Sequence, residues 1–582
     1  VYTVTHLNAS GAGSFAQGIA TVPASGRTIV FAVSGYIPLS GSYLRLASSK
    51  VTIAGQTAPG DGIGLRNSSF RISGDDVIVR HVRFRHGGNG SGGVCLNLAS
   101  GSERCMLDHI AMQFSTDENM SSFGSPPENL TLQWSLNAWG LLSHSAGGLW
   151  DQSHATCHHT LWAHNHTRDP KARPSGVLDW VNNVSFDYGI GFIMGDSSTP
   201  ADWKANVRNC YFICPPGNIR GYALSRASLD RNGNTNFSLY LDNCRWDRDG
   251  DTVLDGTNAG YGMVSATYDQ LSAPIATTGA VPVTMDDPTL ALKKLVSSSG
   301  PLRLDAAYSG PLRDEVDTRL IANLITQTHS RLERESDLTG ISGAGFGTLN
   351  SAAAPVDTDR DGMPDFYELA LGWNHVVQDH NTVLASSAGV LTGSTFMPAG
   401  TVAGYTRLEE YLHYLAIPHA TVPKNVAGAP TGLVVDLAKF TSGFSSAPVF
   451  TATGAAGGSV SLTGSVAAFT PAVNFSGRAG FDFTVTDAAG HSWRQHFAIL
   501  VSASALPREL VWKGAGNVWD FSAANWLRTD NGTTVTFSTG DRVAFTQAGS
   551  AQASVSVPGA IAPGSVEVDA AANYTFSGAG AI

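Results

Sequence analysis

Charge is scarce in this chain. Asp, Glu, Lys and Arg make up 14% of its 582 residues, against about 25% in an average soluble domain. Basic residues are scarcer still, with 36 Lys and Arg against 47 Asp and Glu and a net charge of −11. Nucleic acid is thereby excluded as the main partner, because phosphate binding requires a basic surface. No apolar run approaches the ~18 residues of a membrane span. The six cysteines, Cys95, Cys105, Cys157, Cys210, Cys214 and Cys244, all lie in the first half. They show no paired zinc spacing and are too few for a disulfide scaffold, so buried apolar thiols are expected. The first residue is Val1 rather than Met, which suits a chain whose export signal has been removed.

Glycine, by contrast, is plentiful at 64 residues, which suits many short strands joined by tight turns. A strand-like run leading to an anchor residue recurs at His109, Trp134, His159, Asn183, Asn209 and Asn243, in steps of 25, 25, 24, 26 and 34 residues. A period in the twenties with one strand-turn unit per repeat signals a solenoid. The reading is therefore all-β, a right-handed parallel β-helix with small C-terminal β-sandwich and β-repeat segments. The Asn anchors read as a structural ladder inside a turn, since Asn tolerates turn geometry. Helical spacing of apolar residues marks Arg313–Glu333, and a second short helix is expected over Tyr405–Leu415. The domains are placed at 1–424, with a calcium-loop extension at about 355–420, then 431–504 and 508–582; Val426–Pro430 reads as a linker.

The sharpest chemical signal is Arg168-Asp169-Pro170-Lys171-Ala172-Arg173, which follows His158, His159, His164, Asn165 and His166. Here the chain resembles polysaccharide lyase family 1, the pectate lyases, whose Arg-x-Pro-x-x-Arg signature matches Arg168, Pro170 and Arg173. The resemblance extends to GQTAPGDGI (Gly55–Ile63), LDH (Leu107–His109), STDEN (Ser115–Asn119) and HSAGGLW (His144–Trp150). It also takes in RDEVDTR (Arg313–Arg319) and DTDRDGMPDFYE (Asp357–Glu368), and so covers roughly residues 1–420.

What the resemblance implies is a secreted or cell-surface enzyme of bacterial-type export that cuts an acidic, pectate-type polysaccharide by β-elimination with calcium. It would assign the base to Arg168 and substrate binding to Arg173, Lys171 and His144. Asp108, Asp117 and Glu118 would hold the active-site calcium. The chemistry itself is general: removing the C5 proton of a uronate needs cations beside the carboxyl group that becomes enolate-like. An arginine in water stays protonated, so a base of this kind requires a dry, cation-crowded site. For a lone arginine a salt-bridged surface is the commoner reading; the flanking matches reverse it. The chain departs from the family at Val94 and Cys95, where an acidic residue is usual, and lacks a clear counterpart of the family's substrate-binding lysine before His144.

A second calcium signal is independent of catalysis. Asp357, Asp359, Asp361, Gly362, Asp365 and Glu368 fall at positions 1, 3, 5, 6, 9 and 12 of the calcium-loop pattern. A structural ion with Asp357, Asp359, Asp361, Asp365 and Glu368 as ligands is expected. The run Asp247–Asp255 reads as a polar turn. The histidines from His144 to His166 have no tight zinc spacing, and Trp139, Trp150 and Trp162 are expected in the core. Residues 431–504 resemble a cadherin-like or immunoglobulin-like spacer, and WKGAGNVWDFSAANW (Trp512–Trp526) resembles autotransporter-associated β-strand repeats; these suggest cell-surface attachment. Two other function classes stay open: a β-helical glycoside hydrolase using Asp108 with Asp117, and a non-catalytic carbohydrate-binding adhesin.

Overall fold

The computed structural model describes residues 1–582 apart from 100, 123–127, 143, 197–201, 220, 227–236, 266–268, 278–280, 385–395, 397–403, 427–430, 505–507, 530–531 and 539. Most of the linker at Val426–Pro430 lies outside the described residues.

Each coil contributes three short strands, for example Glu103–Asp108, Ala111–Gln113 and Glu118–Ser122. Equivalent strands of successive coils pair in parallel, Leu107 with Leu132 and Met120 with Gly148. Among the described residues this builds three parallel sheets, of 11, 9 and 8 strands. The result is the right-handed parallel β-helix. Within the coils, inward residues alternate with outward ones; Leu107, Leu132, Cys157, Trp180 and Val207 are all fully buried. No coil can bury its inner face alone, so stacking creates the core. All six cysteines are free and buried within it, and Trp139, Trp150 and Trp162 have no exposed surface.

The first and second sheets meet at a sharp corner that needs a left-handed backbone. His81, His109, Trp134, His159, Asn182, Asn209 and Asn243 hold φ between 46° and 55° there, a region in which Asn and His are enriched. The rings of the first four stack along the solenoid, His81 on His109 at 4.9 Å and Trp134 on His159 at 4.1 Å between centroids. The corner residue of the fourth repeat is Asn182 rather than Asn183. Asn183 instead turns inward, donating to Cys157 O at 2.9 Å and accepting from Thr160 N at 3.0 Å.

The expected helix within Arg313–Glu333 forms over Glu315–Thr326, with Asp314 as its N-cap. With helix Pro288–Ser298 it covers the outer face of the second sheet, packing Leu292, Leu295, Val316, Leu320 and Leu324 against Leu136, Leu161 and Val184. Beneath it Arg85, fully buried, binds Asp314 at 2.6 Å and Asp317 at 2.9 Å. The second short helix runs Arg407–Leu415 and opens with a capping box from Thr406 and Glu409.

By contact density residues 1–421, 433–469 and 477–500 form one unit and 422–432, 470–476 and 501–582 another. The first unit includes antiparallel strands besides the solenoid, Val449–Ala456 with Gly477–Thr486. In the second, Glu509–Trp512 pairs with Trp526–Arg528 and with Arg542–Thr546 over a core of Trp512, Trp519, Trp526 and Phe545.

Candidate active site

The third sheet brings the family-matching residues together. Strand Glu118–Ser122 pairs with Ala146–Trp150, placing Glu118 abreast of Ala146. Ala146 in turn bridges to Thr167, so Arg168 follows one residue beyond a row of aligned coils. On the other side the strand pairs Leu96 with Met120, which carries Val94 to the level of Glu118. The positions flanking Glu118 in the row are thus small or apolar, and Val94 adds no acidic ligand.

Arg168 sits at the edge of this row with φ 62°, a conformation most side chains avoid and one that concentrates at functional sites. Its carbonyl accepts from Gly148 N at 2.7 Å, and its guanidinium pairs with Glu118. Glu118 is buried and also accepts from Ser121 Oγ at 3.1 Å. Burial lowers the proton affinity of Arg168, and the charge of Arg173 lowers it further, while Asp117 and Asp196 pull the other way. Arg168 is thus a half-buried cation held between one neighbouring arginine and several carboxylates.

Behind Arg168 a row of buried amides fixes the backbone. Asn119 donates to Asn137 Oδ1 at 3.0 Å and to Asn165 Oδ1 at 3.2 Å, and Asn165 donates to Asp169 Oδ1 at 2.8 Å. Asp169 is fully buried, and burial drives its carboxyl well above the usual range. The Asp169–Pro170 peptide is cis.

Arg173 and Lys171 are placed near Arg168 but not left free. Arg173 makes a bidentate pair with Asp151, at 2.7 and 2.6 Å, and a third contact with Asp196 at 2.5 Å. Burial opposes the charge of Arg173, yet those hydrogen bonds raise its proton affinity overall. Lys171 reaches Asp196 at 3.1 Å; burial and the neighbouring arginines lower its ordinary value. Asp151 and Asp196 were missed in the sequence, which carries no spacing signal linking them to the arginines.

His144 lies 3.2 Å from Asp117. Donor atoms of Asp117, Glu118 and His144 stand within 4.8 Å of one another, and two carboxylates with one imidazole nitrogen form a donor set that suits a divalent cation. Asp108 lies outside this group. It ends a strand of the first sheet, whereas Glu118 opens one of the third. Its carboxylate is consumed by Arg80 at 2.7 Å, His109 at 2.6 Å and Gln133 at 3.0 Å, an ion-paired structural role. His158 and His159 contact each other at 2.9 Å on the first sheet, while His164 is buried against Asp187 at 2.6 Å. Neither belongs to a metal cluster among the described residues.

In the calcium-loop segment, Asp357, Asp359 and Asp361 bring donor oxygens within 4.8 Å, as do Asp361, Glu368 and Asp379. Asp365 is not among them: its carboxylate accepts from Thr358 N and Thr358 Oγ1, both at 2.7 Å. The first residue of helix Asp365–Leu371 is thereby committed to tying down the loop's entry.

No family model matches the chain. Curated relatives do. The protein named "Probable pectate lyase C" from Neosartorya fischeri is 37% identical over 383 residues, which cover 64% of this chain and 83% of that protein. Its namesake from Aspergillus flavus is 33% identical over 386 residues, with the same coverage. Among solved structures, a pectate lyase from Bacillus sp. N165 in complex with trigalacturonate aligns with a TM-score of 0.36 and 14% identity, over 47% of this chain and 84% of that one.

Proposed function

The chain belongs to the pectate lyase family, and from that membership we propose that it cleaves a pectate-type uronate polymer by β-elimination, with Arg168 as the base. It is a polysaccharide lyase; the polymer and the mechanism are our reading. The observation that carries it is the state of Arg168, half-buried, strained in its backbone and lowered in proton affinity by burial and Arg173.

In this mechanism Arg168 first gives up one guanidinium proton to solvent and, as the neutral base, takes the C5 proton of the uronate. The electron pair left at C5 forms the C4–C5 double bond, and the glycosidic oxygen at C4 departs with the electrons of the broken C4–O bond and takes up a proton from solvent. Arg168 must first yield its Glu118 contact, so Glu118 positions the guanidinium before substrate arrives. Arg173 and Lys171, anchored by Asp151 and Asp196, set a fixed positive field for the substrate carboxylates. His144 supplies a contact at the exposed rim. Asp117, Glu118 and His144 would hold the calcium. When bound, that ion supplies positive charge beside the uronate carboxyl group, where charge develops.

The glycoside-hydrolase alternative is weakened, because Asp108 is ion-paired on the first sheet while Asp117 lies just before the strand Glu118–Ser122 of the third. A secreted or cell-surface setting, a cadherin-like or immunoglobulin-like spacer at 431–504 and surface attachment through the repeat-like 508–582 complete the proposal. No helix among the described residues is long and apolar enough to cross a membrane. The test is product chemistry: polygalacturonate incubated with the protein and calcium, then with chelator. An unsaturated, ultraviolet-absorbing product that chelator suppresses supports the reading. Reducing ends without unsaturation would establish hydrolysis instead, and binding without turnover an adhesin.

A further inference from the structure

The segment 357–380 buries more negative charge than its surroundings compensate. Glu368 has no exposed surface, and neither of its carboxylate oxygens has a hydrogen-bond partner. Asp359 Oδ2 and Asp379 Oδ1 are buried and unpartnered as well. Asp361, also fully buried, spends its oxygens on backbone groups, Met363 N at 3.0 Å, Asp379 N at 3.1 Å and His380 N at 3.0 Å. Asp357 accepts from Asp361 N at 3.2 Å and Gly362 N at 3.0 Å.

Against these five carboxylates stand few positive groups. Among the described residues Arg407 pairs with Asp379, and the His380 ring lies 3.7 Å from Asp361. An unpartnered buried carboxylate is costly unless a cation meets it, and an all-oxygen cluster of flexible geometry is the donor set calcium prefers.

We propose that Asp357, Asp359, Asp361, Glu368 and Asp379 hold a structural calcium ion, with Asp379, brought in from beyond the loop, taking the place that the loop's own spacing gives to Asp365. The ligand set then differs from a self-contained twelve-residue loop. Asp365 fastens Thr358, and the vacated corner is filled from a segment eighteen residues past Asp361. Such an ion joins three pieces of chain: the loop, helix Asp365–Leu371 and the stretch ending at His380. That stretch is held in turn to helix Arg407–Leu415, through Arg407 and through Leu408 N to His380 O at 3.2 Å. All of these surround one apolar cluster of Met363, Tyr367, Ala370, Leu408, Tyr411 and Leu412. The calcium would therefore clamp this cluster, apart from the residues around Arg168.

The experiment uses the full chain stripped of metal and titrated with calcium, read by hydrogen exchange at the amides of Asp361, Gly362, Asp379 and His380. Calcium should protect these amides in the unaltered protein. Asp379→Asn should weaken the half-saturating concentration by about tenfold or more, since ligand charge count tunes such sites, whereas Asp365→Asn should stay within about threefold. Glu368→Gln should abolish the calcium-dependent protection, and its circular dichroism shows whether it has folded. The proposal is overturned if calcium leaves these amides unchanged in the unaltered chain. It is equally overturned if Asp365→Asn is as damaging as expected for Asp379→Asn while Asp379→Asn binds normally.

Discussion

Replacing Arg85 by methionine should loosen the helix that covers the second sheet, and the size of the effect follows from its contacts. The guanidinium is fully buried and donates to Gln113 Oε1 at 2.7 Å, Asp314 at 2.6 and 3.0 Å, Asp317 at 2.9 Å and Phe346 O at 2.8 Å, besides Tyr36. Removing it leaves Asp314 and Asp317 with Arg83, 3.0 and 3.5 Å away, and Asp317 with Gln113 Nε2 at 2.8 Å. Breaking a buried pair by deleting one partner costs roughly 3–5 kcal/mol, because the other charge stays uncompensated. If helix Glu315–Thr326 opens separately from the solenoid, its amides should exchange roughly 100- to 3,000-fold faster, at a factor of ten per ~1.4 kcal/mol. Local exchange is the right assay, since a chain of more than one unit need not melt in a single step. Asp317→Asn is the control. Burial and the charge of Asp314 push the Asp317 carboxyl up, and Asp314 still faces Arg85, so neutral replacement of Asp317 should cost less than the loss of Arg85. A rise in exchange of less than about tenfold for Arg85→Met, or an equal effect from Asp317→Asn, would refute the reasoning.

Three further outcomes are expected. Burial holds His158 down to about 3 and His413 to about 4; an unfolded histidine charges near pH ~6.5, so this stability is present above that pH and lost as pH falls towards 4, by roughly 1–2 kcal/mol for each by pH 5. Denaturant midpoints at pH 7 and pH 5 check it, and a flat profile would count against it. Asp169→Asn should retain or raise stability at pH 7, because the buried carboxyl is driven towards its neutral form and the cost of ionising it grows as pH rises; a lowered melting temperature would contradict that. Glu118→Gln should weaken calcium binding at the site and lower turnover, as Arg168 loses its positioning partner; unchanged calorimetric affinity and unchanged kcat would remove Glu118 from the machinery.

The solenoid was legible because a period near 25 residues survives in the strands, and the corner positions, Trp134 apart, carry His and Asn, which are enriched in a left-handed backbone. The shift from Asn183 to Asn182 shows the limit of that signal: adjacent asparagines offer the same propensity, and only the coil's register decides which one turns the corner. Arg168, Glu118, Asp117 and His144 were legible from motifs and do come together. Asp108 was misplaced because a motif gives an order along the chain but not a sheet, and Arg80 and His109 consume its carboxylate. Asp365 and Asp379 teach the same lesson. Loop spacing is local, while the choice of which carboxylate faces the cluster depends on Thr358 and on a distant segment. The partners of Arg85, 232 residues away at Asp317, and of Arg173, at Asp151 and Asp196, exist only once the coils and helix Glu315–Thr326 are packed.

The central claim is that Arg168 removes the C5 proton, and steady-state kinetics of the Arg168→Lys and Arg168→Ala proteins on polygalacturonate test it most directly. With circular dichroism unchanged, the account predicts that both lose kcat by at least about a hundredfold, the lower scale of general-base catalysis, while calcium binding at Asp117 and Glu118 persists. Unsaturated product released by Arg168→Ala at the rate of the unaltered protein would contradict it.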